Sequence, residues 1–296
     1  MTNIEWTDET WNPTRGCSRV SPGCVNCYAE RVAVRFEWRN VAGEGGEKIA
    51  PGPFHGFITT KNGHPSWTGK VELIESKLLE PLRWKKPRRV FVNSMSDLFH
   101  ESLPPEHIAE VFRVMQRADW HTYQILTKRA DRLAEIMPRI VATFGLMPHV
   151  WLGVSVENQH YADERIPLLL QTPAAVRFVS YEPALGPIDF SRYIAVYMQN
   201  LSGDHHSGLD WIIVGGESGP GARQFDIAWA RKTVEQCKAA GVACFVKQLG
   251  ADPQGSLQPG LYPAQPMPLR DRKGGDMEEW PADLRVRQFP AVEVPA

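Results

Sequence analysis

"VWLGVSVE", residues 150–157, is apolar on both of its alternating faces. That is the pattern of a strand covered on both sides, as in a parallel sheet with layers packed against it. Five more stretches read the same way: "RVFVNSM" (89–95), "TYQILTK" (122–128), "VRFVSYEP" (176–183), "WIIVGGES" (211–218) and "ACFVKQLG" (243–250). Helical patterns lie between most of them. "PEHIAEVFRVMQRA" (105–118) spaces Ile108, Val111, Phe112 and Met115 as one apolar face. "DIAWARKTVEQCKAAG" (226–241) opens on Asp226, suited to N-capping, and stops at Gly241. A further unit opens the chain, with "TWNPTRG" (10–16) as its strand or strand end and "YAERVAVRFEWRN" (28–40) as its helix. Seven βα-like units in succession predict an α/β fold, a full or partial (β/α) barrel with its chemistry at the C-terminal strand ends. A doubly wound open sheet is the alternative.

The chain has 296 residues, enough to bury a large core. Residues 1–250 read as the barrel and 251–296 as a C-terminal extension, in which Trp280, Leu284 and Phe289 need cover. The segment from Gly43 to Gly69 is rich in Gly, Pro, His and Lys and reads as a long loop inserted after the first helix, near the mouth of the fold. It is either a lid or a loose insertion. A net charge of −1 provides no global field toward nucleic acid or an anionic membrane. "RWKKPRR" (83–89) is a local basic stretch, read as a solvated turn before a strand. The N-terminal "MTNIEWTDETW" lacks a signal-peptide pattern, and no apolar run approaches a membrane span, so a cytoplasmic protein with no membrane contact is expected.

Polar residues gather where each strand finishes: Ser94, Ser96 and Asp97; Thr127 and Lys128; Ser155, Glu157 and Asn158; Ser180 and Glu182; Glu217 and Ser218; Lys247 and Gln248. Six such sets on one rim describe a polar pocket. No P-loop, nucleophile elbow or H-E-x-x-H motif is present.

Three of the five cysteines crowd into "TRGCSRVSPGCVNCYAE" (14–30) as C-x6-C-x2-C: Cys17, Cys24 and Cys27. In a reducing compartment clustered thiols indicate metal or redox chemistry rather than a disulfide. A structural zinc site takes four protein ligands, so three thiolates leave it one short. A histidine such as His55 or His100 would complete it; Cys237 and Cys244 sit on a helix face and a buried strand. A [4Fe–4S] cluster held by three cysteines keeps one iron open to a substrate or cofactor. A third reading makes the cysteines structural and gives Asp97, Glu157 and Glu182 to a hydrolase.

Several stretches together carry a resemblance: "IEWTDETWNPTRGC", "SPGCVNCYAER", "VFVNSMSDLFHE", "LTKRADRL", "WLGVSVENQ", "RFVSYEPALGPID", "WIIVGGESG", "VKQLGA" and "DRKGGDMEEWPADLRVR". The chain resembles the radical S-adenosylmethionine superfamily, and more closely a phage- and bacteria-borne family of radical-SAM-like proteins with a three-cysteine motif. "NPTRGC…GCVNCYAE" is also similar to the cluster loop of the spore photoproduct lyase relatives. The resemblance implies a radical SAM barrel in which Cys17, Cys24 and Cys27 hold a [4Fe–4S] cluster. Its open iron would chelate S-adenosylmethionine, cleaved reductively to a 5′-deoxyadenosyl radical. Ser94 or Ser96 and Asp97 would stand at the cofactor's amino or carboxylate end, Lys128 would pair with its carboxylate, and Ser155 would contact it. Glu157, Glu182 and Glu217 would line the ribose or substrate side. The superfamily spacing is usually C-x3-C-x2-C with an aromatic before the last cysteine; here Asn26 stands there and Tyr28 or Trp6 would substitute. The lyases' hydrogen-donor cysteine is replaced by Ser94 and Ser96, so thymine-dimer repair does not carry over. The resemblance further implies a reducing electron donor, a nucleic-acid or nucleotide substrate, and a three-cysteine-motif partner protein. With such a partner, a non-catalytic iron–sulfur or zinc-binding module is the alternative.

Overall fold

A computed structural model describes residues 4–43, 46–61, 63–194, 208–255 and 265–291. Seven parallel strands form one sheet: β1 (Glu9–Trp11), β2 (Arg89–Val92), β3 (Thr122–Thr127), β4 (Val150–Ser155), β5 (Val176–Tyr181), β6 (Trp211–Gly215) and β7 (Ala243–Gln248). Their order in the sheet is their order in the chain. With that order, connections of the usual right hand lay the crossover helices on one face, and the sheet curls into a half-barrel. A doubly wound sheet needs a point where the strand order reverses, so that alternative is set aside.

The crossovers carry α2 (Pro105–Arg117), α3 (Ala130–Phe144), α4 (Gln159–Gln171) and α5 (Ile227–Ala240). The apolar face read for α2 is the buried one: Ile108, Val111, Phe112 and Met115 are each fully covered. Asp226 accepts a hydrogen bond from the Ala228 amide and caps α5, and Gly241 ends it at φ 69°. Residues on the convex face of the sheet, such as Val92, Ile125, Val154 and Ile212, pack beneath these helices.

The concave face divides by depth. At its lower end Phe91, Trp151, Phe178, Trp211 and Phe245 form an aromatic plug with Trp6. The tail folds back as its apolar residues require. Phe289 lies 5.3 Å from the Trp211 ring and 5.4 Å from that of Phe245, and Trp280 and Leu284 are buried. Toward the C-terminal strand ends the same face turns polar.

Two expectations are corrected. The helix read over 28–40 stops early: α1 spans Tyr28–Ala33, a single 3-10 turn follows, and Trp38–Gly43 pairs as a strand with Gly46–Pro51. The segment from Trp38 carries Trp38 and Val41, residue types that a strand accommodates well. The 43–69 segment is not a loose loop over its described residues. Ile58–Lys61 and His64–Trp67 form a second hairpin, which packs Phe57, Ile58 and Trp67 against α1. The basic stretch at 83–89 is tied down at the opposite end of the barrel from the polar rim, where Arg88 pairs with Glu9 and Arg89 with Asp8. Among the described residues no helix is long and apolar enough to cross a membrane.

Candidate active site

The loop carrying the cysteines runs from the end of β1 to the start of α1, across the C-terminal ends of the strands. Three clamps fix its path. Glu30, 1 % exposed on α1, receives Arg19 Nε at 2.9 Å and the Trp67 amide at 3.0 Å, joining the loop, the helix and the second hairpin. Glu157, fully buried, accepts from Ser21 Oγ at 2.7 Å and from Arg165 Nη1 at 3.2 Å. Glu217 accepts from Asn26 Nδ2 at 2.8 Å and from Arg223 Nη2 at 2.6 Å, and Arg223 Nη1 reaches on to the Pro22 carbonyl at 2.9 Å. These hydrogen bonds hold the Glu217 carboxyl below the usual range although burial opposes them.

Beneath the loop lies a cavity of about 170 Å³. Its wall includes all three cysteines together with Tyr28, Ser94, Ser96, Asp97, Lys128 and Ser155. The structure thus gathers nine of the twelve site residues read from the sequence around one space. Glu157, Glu182 and Glu217 are not among its lining residues. Two of them are the clamps just described. Glu182 sits farther round the rim in an ion pair with Lys247 Nζ at 3.0 Å.

Within the wall the roles differ. Both Asp97 oxygens are taken: Oδ1 accepts from Thr127 Oγ1 at 2.7 Å and the Phe99 amide at 3.0 Å, Oδ2 from Arg129 Nη1 at 3.0 Å and the Lys128 amide at 3.2 Å. Asp97 is therefore a structural hub of the wall. Ser96 Oγ is engaged with Thr14, and Ser94 Oγ with Asn12 Oδ1 at 3.1 Å, so both stitch β1 to β2. Tyr28 donates its hydroxyl to the Ser94 carbonyl and bridges the cysteine loop to β2. Lys128 brings an ammonium to the wall, with Nζ 3.6 Å from Glu157 Oε1.

Two features were missed in the sequence. Arg129, 6 % exposed, joins Asp97 to Glu101 at 2.7 Å and Ser18 Oγ at 2.8 Å, and its Nη1 lies 3.9 Å from Cys17 Sγ. Hydrogen bonds from its own backbone and from Arg129 outweigh partial burial and bring the Glu101 carboxyl down to about 2. The second feature is apolar cover: Phe57 and Trp67 pack with Cys17, Cys27 and Ala29 and wall off the thiols from outside.

The donor set fits an iron–sulfur cluster. Burial pushes the Cys17 thiol up to about 12, and raises that of Cys27, while the Glu30 and Ala29 amides draw the Cys27 value down. A metal or cluster bound there would have to displace these protons. Among the described residues no three His, Cys, Asp or Glu side chains converge on one point as a single ion requires. The three thiols share the wall of one cavity. Neither histidine offered for zinc lines the cavity. His100 has Nε2 on Ser18 Oγ at 2.9 Å and Nδ1 on the Ser102 amide at 3.1 Å, and His55 packs against Trp38 on the first hairpin. Removing the apolar cover has a direct readout. Trp67→Ala is expected to raise the rate of iodoacetamide labelling at Cys17 and Cys27 several-fold in the metal-free protein, with Cys237 unchanged, as followed by peptide mass spectrometry.

The sequence model of one family, described as protein of unknown function (DUF5131), matches residues 1–274. The chain belongs to that family. No curated protein matches it. No solved structure matches it either. The matched span takes in the sheet of this DUF5131 chain, its cysteine loop and every residue of the cavity wall.

Proposed function

We propose that this DUF5131 chain is an iron–sulfur enzyme of the radical S-adenosylmethionine type. The observation that carries the reading is the single cavity shared by Cys17, Cys24, Cys27, Lys128 and Ser155 at the C-terminal ends of a curled parallel sheet. That is the end of a β/α barrel where chemistry is built. Bound there, a [4Fe–4S] cluster with an open iron and S-adenosylmethionine would supply reductive cleavage of a carbon–sulfur bond and hydrogen abstraction from a substrate, given an external electron donor.

The protein's own residues divide the remaining work. Cys17, Cys24 and Cys27 give up their protons and hold the cluster. Lys128 offers its ammonium to the cofactor's carboxylate, and Ser155 a hydroxyl. Phe57 and Trp67 exclude water from the outer side. The Glu182–Lys247 pair, farther along the rim, would line the substrate side.

The test is anaerobic purification, reconstitution with iron and sulfide, and reduction in the presence of S-adenosylmethionine. Wild type is expected to carry about four irons per chain and to release 5′-deoxyadenosine, measured by chromatography. Cys27→Ser is expected to lose both. A well-formed cluster with bound cofactor and no 5′-deoxyadenosine would leave a non-catalytic iron–sulfur module that works with a partner protein. Colourless protein containing zinc would overturn the cluster itself.

A further inference from the structure

Asn93 follows β2 on its concave face, one alternation above Phe91, and lines the cavity. It is 3 % exposed, yet neither Oδ1 nor Nδ2 has a hydrogen-bond partner. Its backbone sits at φ 63°, the only positive φ outside glycine among the described residues. Its amide is held there by the Trp11 carbonyl at 2.8 Å. Leaving a buried polar atom without a partner is costly. A left-handed non-glycine residue adds to that cost. Sites that keep such a residue do so for something that satisfies it.

We propose that Asn93 is a recognition residue for a planar ligand edge with one hydrogen-bond donor beside one acceptor. Nδ2 donates and Oδ1 accepts, so the carboxamide matches the edge of a nucleobase or of another carboxamide, as asparagine does with adenine. Phe91 and Leu126 give the cavity an apolar wall suited to a flat ring, and Lys128 and Ser155 supply polar contacts beside it. The edge has two sources: the adenine of S-adenosylmethionine itself, or a separate nucleobase-bearing substrate. The proposal stands on the cavity and the orphaned amide, and iron loading does not enter it.

The experiment uses Asn93→Gly and Asn93→Asp in the full chain. Glycine removes both orphaned atoms and the left-handed strain, so its thermal midpoint is expected to rise by about 2–4 °C. Aspartate offers two acceptors and no donor. Calorimetric titration then uses S-adenosylmethionine, adenosine and thymidine as probes. Both variants are expected to lose on the order of tenfold affinity for whichever probe the wild type binds. Loss for S-adenosylmethionine and adenosine together assigns the edge to the cofactor. Loss for a nucleoside alone, with S-adenosylmethionine unchanged, assigns it to the substrate. A lower midpoint for Asn93→Gly with unchanged affinities overturns the proposal, and so does a wild type that binds none of the three. Failure of the radical reading shows separately, as absent 5′-deoxyadenosine with these affinities intact.

Discussion

Replacing Arg129 with methionine lowers the free energy of unfolding by roughly 3–5 kcal/mol, the cost of removing one partner from a buried ion pair. Methionine keeps most of the side chain's length, so lost packing is a small part of the effect. What remains is Asp97, 6 % exposed, without its counter-charge. Ser18 loses the guanidinium donor to its carbonyl and one of the partners of its hydroxyl, and Glu101 loses its guanidinium. Urea unfolding followed by circular dichroism measures the change. The double variant Arg129→Met with Asp97→Asn should recover part of it, because it removes the unpaired buried charge, although the new amide nitrogen then faces the Lys128 amide donor. If the double variant is as unstable as the sum of the single ones, Arg129 acts on the cysteine loop independently of Asp97.

Gly16→Ala is the second large effect. Gly16 precedes the first cysteine at φ 87°, and a Cβ there would stand 2.0 Å from the Lys70 carbonyl oxygen and 2.7 Å from the Phe57 ring. The carbonyl belongs to backbone and cannot swing aside. Gly16 also bridges Ser96 on the neighbouring segment, and the Cys17 carbonyl accepts from the Gly69 amide at 3.2 Å. Any shift therefore carries Cys17 with it. The strain of the left-handed backbone and the overpacking together cost about 3 kcal/mol or more. The thermal midpoint falls and, on the function proposed above, reconstituted iron content drops well below that of wild type. Gly63→Ala is the control: it shares a positive φ of 78°, but its Cβ would meet nothing within 4 Å. Its midpoint should fall by far less and its iron content should not change.

The sheet was legible because its strands are covered on both faces and so appear as unbroken apolar runs, from Val90 to Val246. The hairpins were not. Their strands pass through Gly46, Pro51 and Pro65, residues that ordinarily mark loops, and the exposed Trp38 and Ile49 break any inside–outside alternation. The cysteines and the polar wall were legible as residue types at strand ends. Their division of labour was not, because a carboxylate at a strand end looks the same whether it meets solvent or a neighbour. For Glu157 a signal existed: Arg165 interrupts the buried face Ala162, Ile166 and Leu169 of α4, and an arginine on an apolar face needs an acid beneath it. Nothing comparable announced Asn93, whose backbone angle and missing partners exist only in three dimensions.

The aromatic plug at the bottom of the half-barrel joins the two extremities of the described chain, Trp6 before β1 and Phe289 after the last 3-10 turn. On the ribosome these residues emerge far apart in time. The cysteine loop leaves the ribosome well before the tail, and the floor on which the strands rest stays open until the tail follows. Until that moment Phe178, Trp211 and Phe245 line a hollow open to water. Seating of the tail is therefore the step that closes the floor beneath the cavity.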